Sequence, residues 1–132
     1  LAVRTYFEQI NIMAETQTPD IIAHFDKIKM HNQERFFSVE DDWYLSLLRE
    51  SLEVIAKKGC IVEVNTRGIY KARCNELFPN LKALKIIKEL NIPVTLSSDA
   101  HAPEDLDKEY PLALEVIRAA GIKELMVLTC PF

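Results

Sequence analysis

The three cysteines, Cys60, Cys74 and Cys130, are an odd number and include no CxxC pair, so they do not form a disulfide frame. They read as reduced thiols of a cytoplasmic protein. No apolar run approaches the roughly 18 residues of a membrane span. Leu1–Ile10 carries Arg4 and Glu8 and lacks a continuous apolar core, so no signal peptide is expected there. Positive charge is not in excess. The net charge of −4 argues against a nucleic-acid or membrane-surface binder. Neither a GxGxxG nor a Walker loop is present, which leaves a nucleotide-binding sheet poorly supported. There is no internal repeat, low-complexity tract or linker. The first residue is Leu rather than Met, so a piece of a longer protein, or a processed one, is expected.

What is present is 132 residues, enough for one domain with a modest core. Apolar residues make up 48% and charged residues 27%, ordinary values for a globular protein. The most informative stretch is IPVTLSSDAH, Ile92–His101. Pro93 follows a helical segment, Val94–Leu96 is rich in strand formers, and the run ends on Asp99-Ala100-His101. Parallel α/β sheets and barrels place their chemistry at the carboxyl ends of strands. In an extended backbone Asp99 and His101 leave on the same side, pairing an oxygen donor with an imidazole, which suits Zn, Mn or Fe. On the tripeptide alone a second reading stands equal: Asp99 caps the next helix and His101 lies on the surface.

Apolar spacing predicts a helix from Leu1 to about Thr16, which Pro19 ends. Asp20–His24 reads as a short buried strand ending in histidine. Lys29–Asp41 is polar and irregular, and His31 within it reads as solvated. Ser38 and Asp41 resemble a capping box ahead of a helix over Asp42–Lys58, with Trp43, Leu47, Leu48, Leu52, Ile55 and Ala56 as its buried stripe and Gly59 as its stop. Cys60–Asn65 is the next strand. Its Glu63 and Asn65 share one face, as a site candidate or pointing to solvent. Thr66–Pro79 is predicted as a loop. Asn80 caps a helix to about Leu90 with Leu81, Leu84, Ile87 and Leu90 apolar. After the strand that begins at Pro93, Pro103 falls in a first turn where Glu104 and Asp105 suit a helix N-terminus. A helix is predicted over Tyr110–Ala120 with Leu112, Leu114, Val116 and Ile117 apolar, then a last strand over Lys123–Thr129.

Strict alternation of helices and strands implies α/β architecture with parallel strands and right-handed crossovers. Either a small open sheet or half of a (β/α) barrel satisfies it. Three successive strands end in site-like residues: His24, then Glu63 and Asn65, then Asp99 and His101. In either architecture these tips lie on one face and can meet around a metal.

The blocks DIIAHFDKIK (Asp20–Lys29), VEVNTRGIYKAR (Val62–Arg73) with the following LFP, and IPVTLSSDAH, in this order and spacing, resemble the C-terminal half of the PHP (polymerase and histidinol phosphatase) family, in its histidinol-phosphatase branch. The resemblance covers nearly the whole chain. It implies that residues 1–132 are the C-terminal half of a single distorted (β/α)7, TIM-like barrel domain. It implies metal-dependent hydrolysis of phosphate monoesters, and for this branch L-histidinol phosphate to L-histidinol in histidine biosynthesis. Another PHP phosphoesterase or exonuclease acting on nucleotides, a non-metal α/β binding module, and a non-catalytic assembly piece are the rival readings.

Residue by residue, the resemblance makes His24, Asp99 and His101 metal ligands, with Asp99 and His101 also catalytic. Asp26 beside His24 takes a supporting role. Glu63 and Asn65 match a polar strand facing the barrel interior. Arg67 and Arg73 lie where the branch holds its phosphate, which a planar guanidinium fork suits; the other reading of each is a solvated loop charge. The cofactors implied are divalent ions (Zn, Fe or Mn), up to three in the complete protein. The family's early His-x-His motif and its other N-terminal ligands have no counterpart here. The implied partner is a small phosphorylated substrate, with no nucleic acid and no membrane. Exposed half-barrel surface would favour a homo-oligomer.

Overall fold

The computed structural model describes residues 2–30, 32, 35–70, 76–98, 100 and 102–127. Asp99, His101, Arg73, His31, Cys74 and Cys130 lie outside the described residues. Helix α1 spans Ala2–Gln17 and is followed by strand β1, Ile21–Ile22. Helix α2 spans Asp42–Lys58 and leads into β2, Ile61–Asn65, and the short α3, Arg67–Tyr70. Helix α4 is Leu81–Glu89, β3 is Val94–Ser97 and α5 is Tyr110–Ala119. Single 3-10 turns stand at Lys27–Lys29 and Pro103–Asp105.

The three strands form one parallel sheet in the order β1-β2-β3. Ile22 pairs with Val62 and Val62 with Val94, and all three are at most 2% exposed. This row, with Val64 beside it, is the sheet's contribution to the core. The alternation of β2 puts Ile61, Glu63 and Asn65 on the opposite face. Along that face Glu63 pairs with Thr95 and Asn65 with Ser97. Antiparallel hairpins are absent among the described strands, so the helices serve as crossovers.

Helices α1 and α2 pack together through Phe7 and the α2 stripe of Tyr44, Leu47, Leu48, Leu52 and Ile55, all buried. Each such side chain contributes about 1.5–3 kcal/mol by leaving water. Ser51 sits inside this stripe and is satisfied by donating to Asn11 Oδ1 at 2.6 Å. Tyr44 stacks on Phe37 and meets the edge of Phe7. Gly59 closes α2 at φ 73°, a left-handed conformation that costs glycine nothing, and the Cys60 N–H reaches back to the Ile55 carbonyl. Asn80 caps α4, its Oδ1 accepting from the Ala83 N–H at 3.1 Å.

Several expectations need correction. Trp43 is 47% exposed rather than buried. The inward stripe runs through Tyr44, Leu48, Leu52 and Ile55, and Trp43 stands about 100° around the helix from Tyr44. It rests instead at the rim against Phe37. Leu81 and Leu112 are likewise partly exposed, at 36% and 38%, beside the buried positions Leu84, Ile87, Ala113 and Ile117. Strand β1 stops at Ile22, short of His24, because His24 takes φ 31° and turns the chain out of extended geometry. The Thr66–Pro79 loop opens with α3 and closes with an antiparallel bridge between Asn65 and Phe78. Ser38 and Asp41 do interact, the Ser38 N–H donating to Asp41 Oδ2 at 2.9 Å, in a turn just ahead of α2. Residues 122–127 form no regular strand. Met126 N–H donates to Val94 O at 2.7 Å, but one ladder bond beside β3 does not make a strand, and Met126 and Val127 are exposed. Among the described residues no helix is long and apolar enough to cross a membrane. Cys60 is a buried free thiol.

Candidate functional site

Parallel order brings the carboxyl ends of the three strands to one edge of the sheet. His24, half-buried, stands two residues past β1. Its φ of 31° is a conformation that a side-chain-bearing residue adopts at a cost of about 1–3 kcal/mol. The His24 N–H donates to Glu63 Oε1 at 3.3 Å. Asn65 Nδ2 donates to the same oxygen at 2.9 Å. Asn65 Oδ1 accepts from the Arg67 N–H at 2.9 Å. Asn65 is fully buried, and its backbone is fixed by reciprocal bonds with Phe78, at 2.8 and 3.1 Å. The Thr66 N–H donates to Ser97 O at 3.0 Å, tying the exit of β2 to the end of β3. Thr66 Oγ1 is buried with no hydrogen-bond partner among the described residues.

Behind this edge lies a second polar group. Lys29 Nζ sits 2.8 Å from Asp26 Oδ2 and 3.0 Å from Glu76 Oε2, and it donates to Leu77 O at 2.7 Å. Asp26 and Lys29 are 0% and 3% exposed. Asp26 Oδ2 also accepts from the Asn80 N–H at 3.3 Å, while Oδ1 has no partner among the described residues. Burial pushes the Asp26 carboxyl above its ordinary range, and Lys29 and the Asn80 N–H pull against that without cancelling it. Burial pulls the Lys29 ammonium down, but the Asp26 and Glu76 carboxylates outweigh it and hold the group above the ordinary lysine range. Burial, reinforced by the Asp26 charge, raises the Tyr6 phenol to about 12, and that hydroxyl donates to Phe25 O at 2.9 Å.

The structure therefore brings together His24, Glu63, Asn65 and the backbone of Arg67. The exit of β3 reaches the same edge at Ser98, whose hydroxyl donates to Leu106 O at 2.9 Å. Asp26 Oδ2 is given to Lys29 and Asn80, and among the described residues no hydrogen bond joins Asp26 to His24. The buried Asp26–Lys29 pair was not anticipated from sequence. Its signal is the i,i+3 spacing of Asp26 and Lys29 straight after a buried strand. At this edge the His24 imidazole is a donor that suits a divalent metal, while Glu63 Oε1 is taken up by the His24 N–H and Asn65 Nδ2. Among the described residues, no three His, Cys, Asp or Glu side chains converge into a complete metal site.

Residues 78–107 match the family described as PHP-associated. The chain is 27% identical over 127 residues to the "Probable histidinol-phosphatase" of Schizosaccharomyces pombe, covering 93% of this chain and 40% of that protein. It is 28% identical over 118 residues to the "Probable histidinol-phosphatase" of Deinococcus radiodurans, covering 89% and 42%. The crystal structure of "the putative histidinol phosphatase hisK from Listeria monocytogenes" superposes with a TM-score of 0.73 at 23% identity, over 81% of this chain and 42% of that one, which shows the fold. The chain thus spans about two fifths of the length of the relatives it matches. These matches are to part of the PHP family's histidinol-phosphatases, and they support reading this chain as similar to a fragment of such a protein.

Proposed function

We propose that these 132 residues are the C-terminal part of one PHP-type domain, the later half of a distorted (β/α)7 barrel, and that in the whole protein they serve metal-dependent hydrolysis of a phosphate monoester. The substrate in this reading is L-histidinol phosphate, hydrolysed in the cytoplasm to L-histidinol and phosphate. The observation that carries the proposal is the parallel register, which gathers His24, Glu63, Asn65, Arg67 and the exit of β3 on one sheet edge. The curated relatives named histidinol-phosphatase support the substrate class.

In this reading His24, Asp99 and His101 would hold divalent metal (Zn, Fe or Mn). When bound, the metal supplies an acidified water and a Lewis-acid charge for phosphoryl oxygens. Arg67 and Arg73 bind the phosphate, and Asp99 and His101 orient the attacking water. Water oxygen bonds to phosphorus and the ester P–O bond breaks; one proton of that water ends on the leaving alkoxide, giving the alcohol, and the other stays with the phosphate. The arginines keep charge on the equatorial oxygens neutralised and the substrate in line.

The test is phosphate release from histidinol phosphate and from nucleoside monophosphates by the whole protein, wild type and His24→Ala. Preference for histidinol phosphate, lost in His24→Ala, is the expected result. Preference for nucleotides would replace the substrate, and unchanged turnover in His24→Ala would remove the metal role of His24.

A further inference from the structure

We propose that Glu63 and Asn65 are positioning residues that join the metal-holding and phosphate-holding sides of the site through one chain of hydrogen bonds. The links run from the His24 N–H to Glu63 Oε1, from Asn65 Nδ2 to that same oxygen, and from the Arg67 N–H to Asn65 Oδ1, at 3.3, 2.9 and 2.9 Å. The inference rests on the reading of His24 as a ligand and Arg67 as a phosphate contact.

The geometry is specific. At both ends the partner is the backbone of a functional residue, and both central groups are side chains of the middle strand, two residues apart on one face. His24 holds a left-handed φ that its own side chain disfavours, and the Glu63 carboxylate is the acceptor that its N–H meets in that conformation. Asn65 is suited to the middle place because its amide presents a donor to Glu63 and an acceptor to Arg67 at once. It is fully buried and pinned to Phe78 by two backbone bonds, so it cannot re-aim. Neither residue needs to touch substrate. Each sets the direction in which a neighbour leaves its strand, and outer partners of this kind change metal affinity and activity by tens of fold when lost.

The experiment uses the whole protein, with Mn2+ affinity measured by competition against a chelating dye and KM and kcat measured on histidinol phosphate. Glu63→Gln keeps an oxygen able to accept both bonds, so its Mn2+ affinity and KM should stay within about threefold of wild type. Glu63→Ala should weaken Mn2+ binding by about tenfold or more. Asn65→Ala should do the same and also raise KM by about tenfold, because the Arg67 side loses its acceptor. Asn65→Asp keeps that acceptor but sets a second carboxylate against Glu63, so Mn2+ binding should weaken while KM moves less.

Glu63→Ala and Asn65→Ala proteins that melt like wild type yet keep its Mn2+ affinity and KM would overturn the proposal. Should the alanine variants fail to fold, Glu63→Gln and Asn65→Asp decide it, and Glu63→Gln losing Mn2+ affinity would overturn it. Wild-type protein that binds Mn2+ but spares histidinol phosphate would refute only the substrate, since the Mn2+ arm still tests Glu63. Wild-type protein that binds no Mn2+ would remove both the ligand reading of His24 and this inference.

Discussion

Lys29 Nζ stands 2.8 Å from Asp26 Oδ2 with both side chains out of contact with solvent. Water does not screen this pair, and its geometry is completed by Glu76, the Leu77 carbonyl and the Asn80 N–H. The pair therefore ties the exit of β1 to the segment that enters α4. Desolvating two charges is expensive, so such a pair adds little over a well-packed apolar substitute, but removing one partner strands the other. Lys29→Met should cost about 3–5 kcal/mol, with the double variant Asp26→Asn/Lys29→Met costing less than Lys29→Met alone. Urea unfolding midpoints of the three proteins test this, and a double variant worse than the single would contradict it. The exposed Arg49–Glu89 pair, also at 2.8 Å, is the contrast: Arg49→Ala should change stability by less than about 1 kcal/mol.

Alkaline pH acts on the same region. The Tyr6 phenol is raised from 10.0 to about 12, first by burial and then by the Asp26 charge. Its folded value exceeds its unfolded one, so its contribution is complete below pH 10 and is lost as pH rises toward 12. Lys29, also raised, adds a loss of the same sign as pH rises past the ordinary lysine value. Two pKa units correspond to about 2.7 kcal/mol, and partial exposure of Tyr6 reduces this to about 1–2 kcal/mol. Wild-type stability should therefore fall between pH 10 and 12, and Tyr6→Phe should be less stable near neutrality yet lose less over that interval. Chemical denaturation across that range measures both slopes.

The α4 cap gives a smaller, local prediction. Asn80 accepts from the Ala83 N–H, and its own N–H serves Asp26. Asn80→Ala keeps the backbone donor and loses the side-chain oxygen together with the long Nδ2 contact to Glu76 Oε2 at 3.4 Å, so the cost should be about 1 kcal/mol, while Asn80→Pro removes the backbone donor as well and should cost more. Thermal melts of the two variants separate the cap from the Asp26 bond.

The long periodic helices were legible in the sequence because their signals are redundant. Asp42–Lys58 has a turn before it, a stripe within it and Gly59 after it, and Leu81–Glu89 has its Asn80 cap. The parallel order followed from strict alternation. The features that stayed hidden depend on single positions. Trp43 and Tyr44 are adjacent aromatics, and only packing against Phe7 and Phe37 decides which goes inside. The end of β1 at Ile22 turns on one backbone angle at His24 that no residue type announces. Polarity marked Glu63 and Asn65 as a shared face, but not that one Glu63 oxygen serves both His24 and Asn65. Asp26 read as a helper of His24 by adjacency, whereas the turn at Lys27–Lys29 brings Lys29 back onto it.

His24 offers the sharpest separation of function from stability. Its φ of 31° is one that glycine reaches without steric cost and histidine does not. Its backbone N–H, not its imidazole, makes the bond to Glu63. His24→Gly therefore keeps that bond and relieves the strain, while adding some chain entropy to the unfolded state. The two effects oppose each other, and stability should change by less than about 1 kcal/mol in either direction. His24→Val, whose branched side chain tolerates a positive φ least, should destabilise by more than about 1 kcal/mol. Both variants lack an imidazole, so both should lose phosphate release in the whole protein if His24 holds metal. A His24→Gly protein that is as stable as wild type and inactive shows that the histidine is kept for its side chain at a backbone position better suited to glycine. A His24→Gly protein that unfolds readily would mean that the imidazole itself supports the fold, and that loss of activity in His24 variants cannot be credited to a metal.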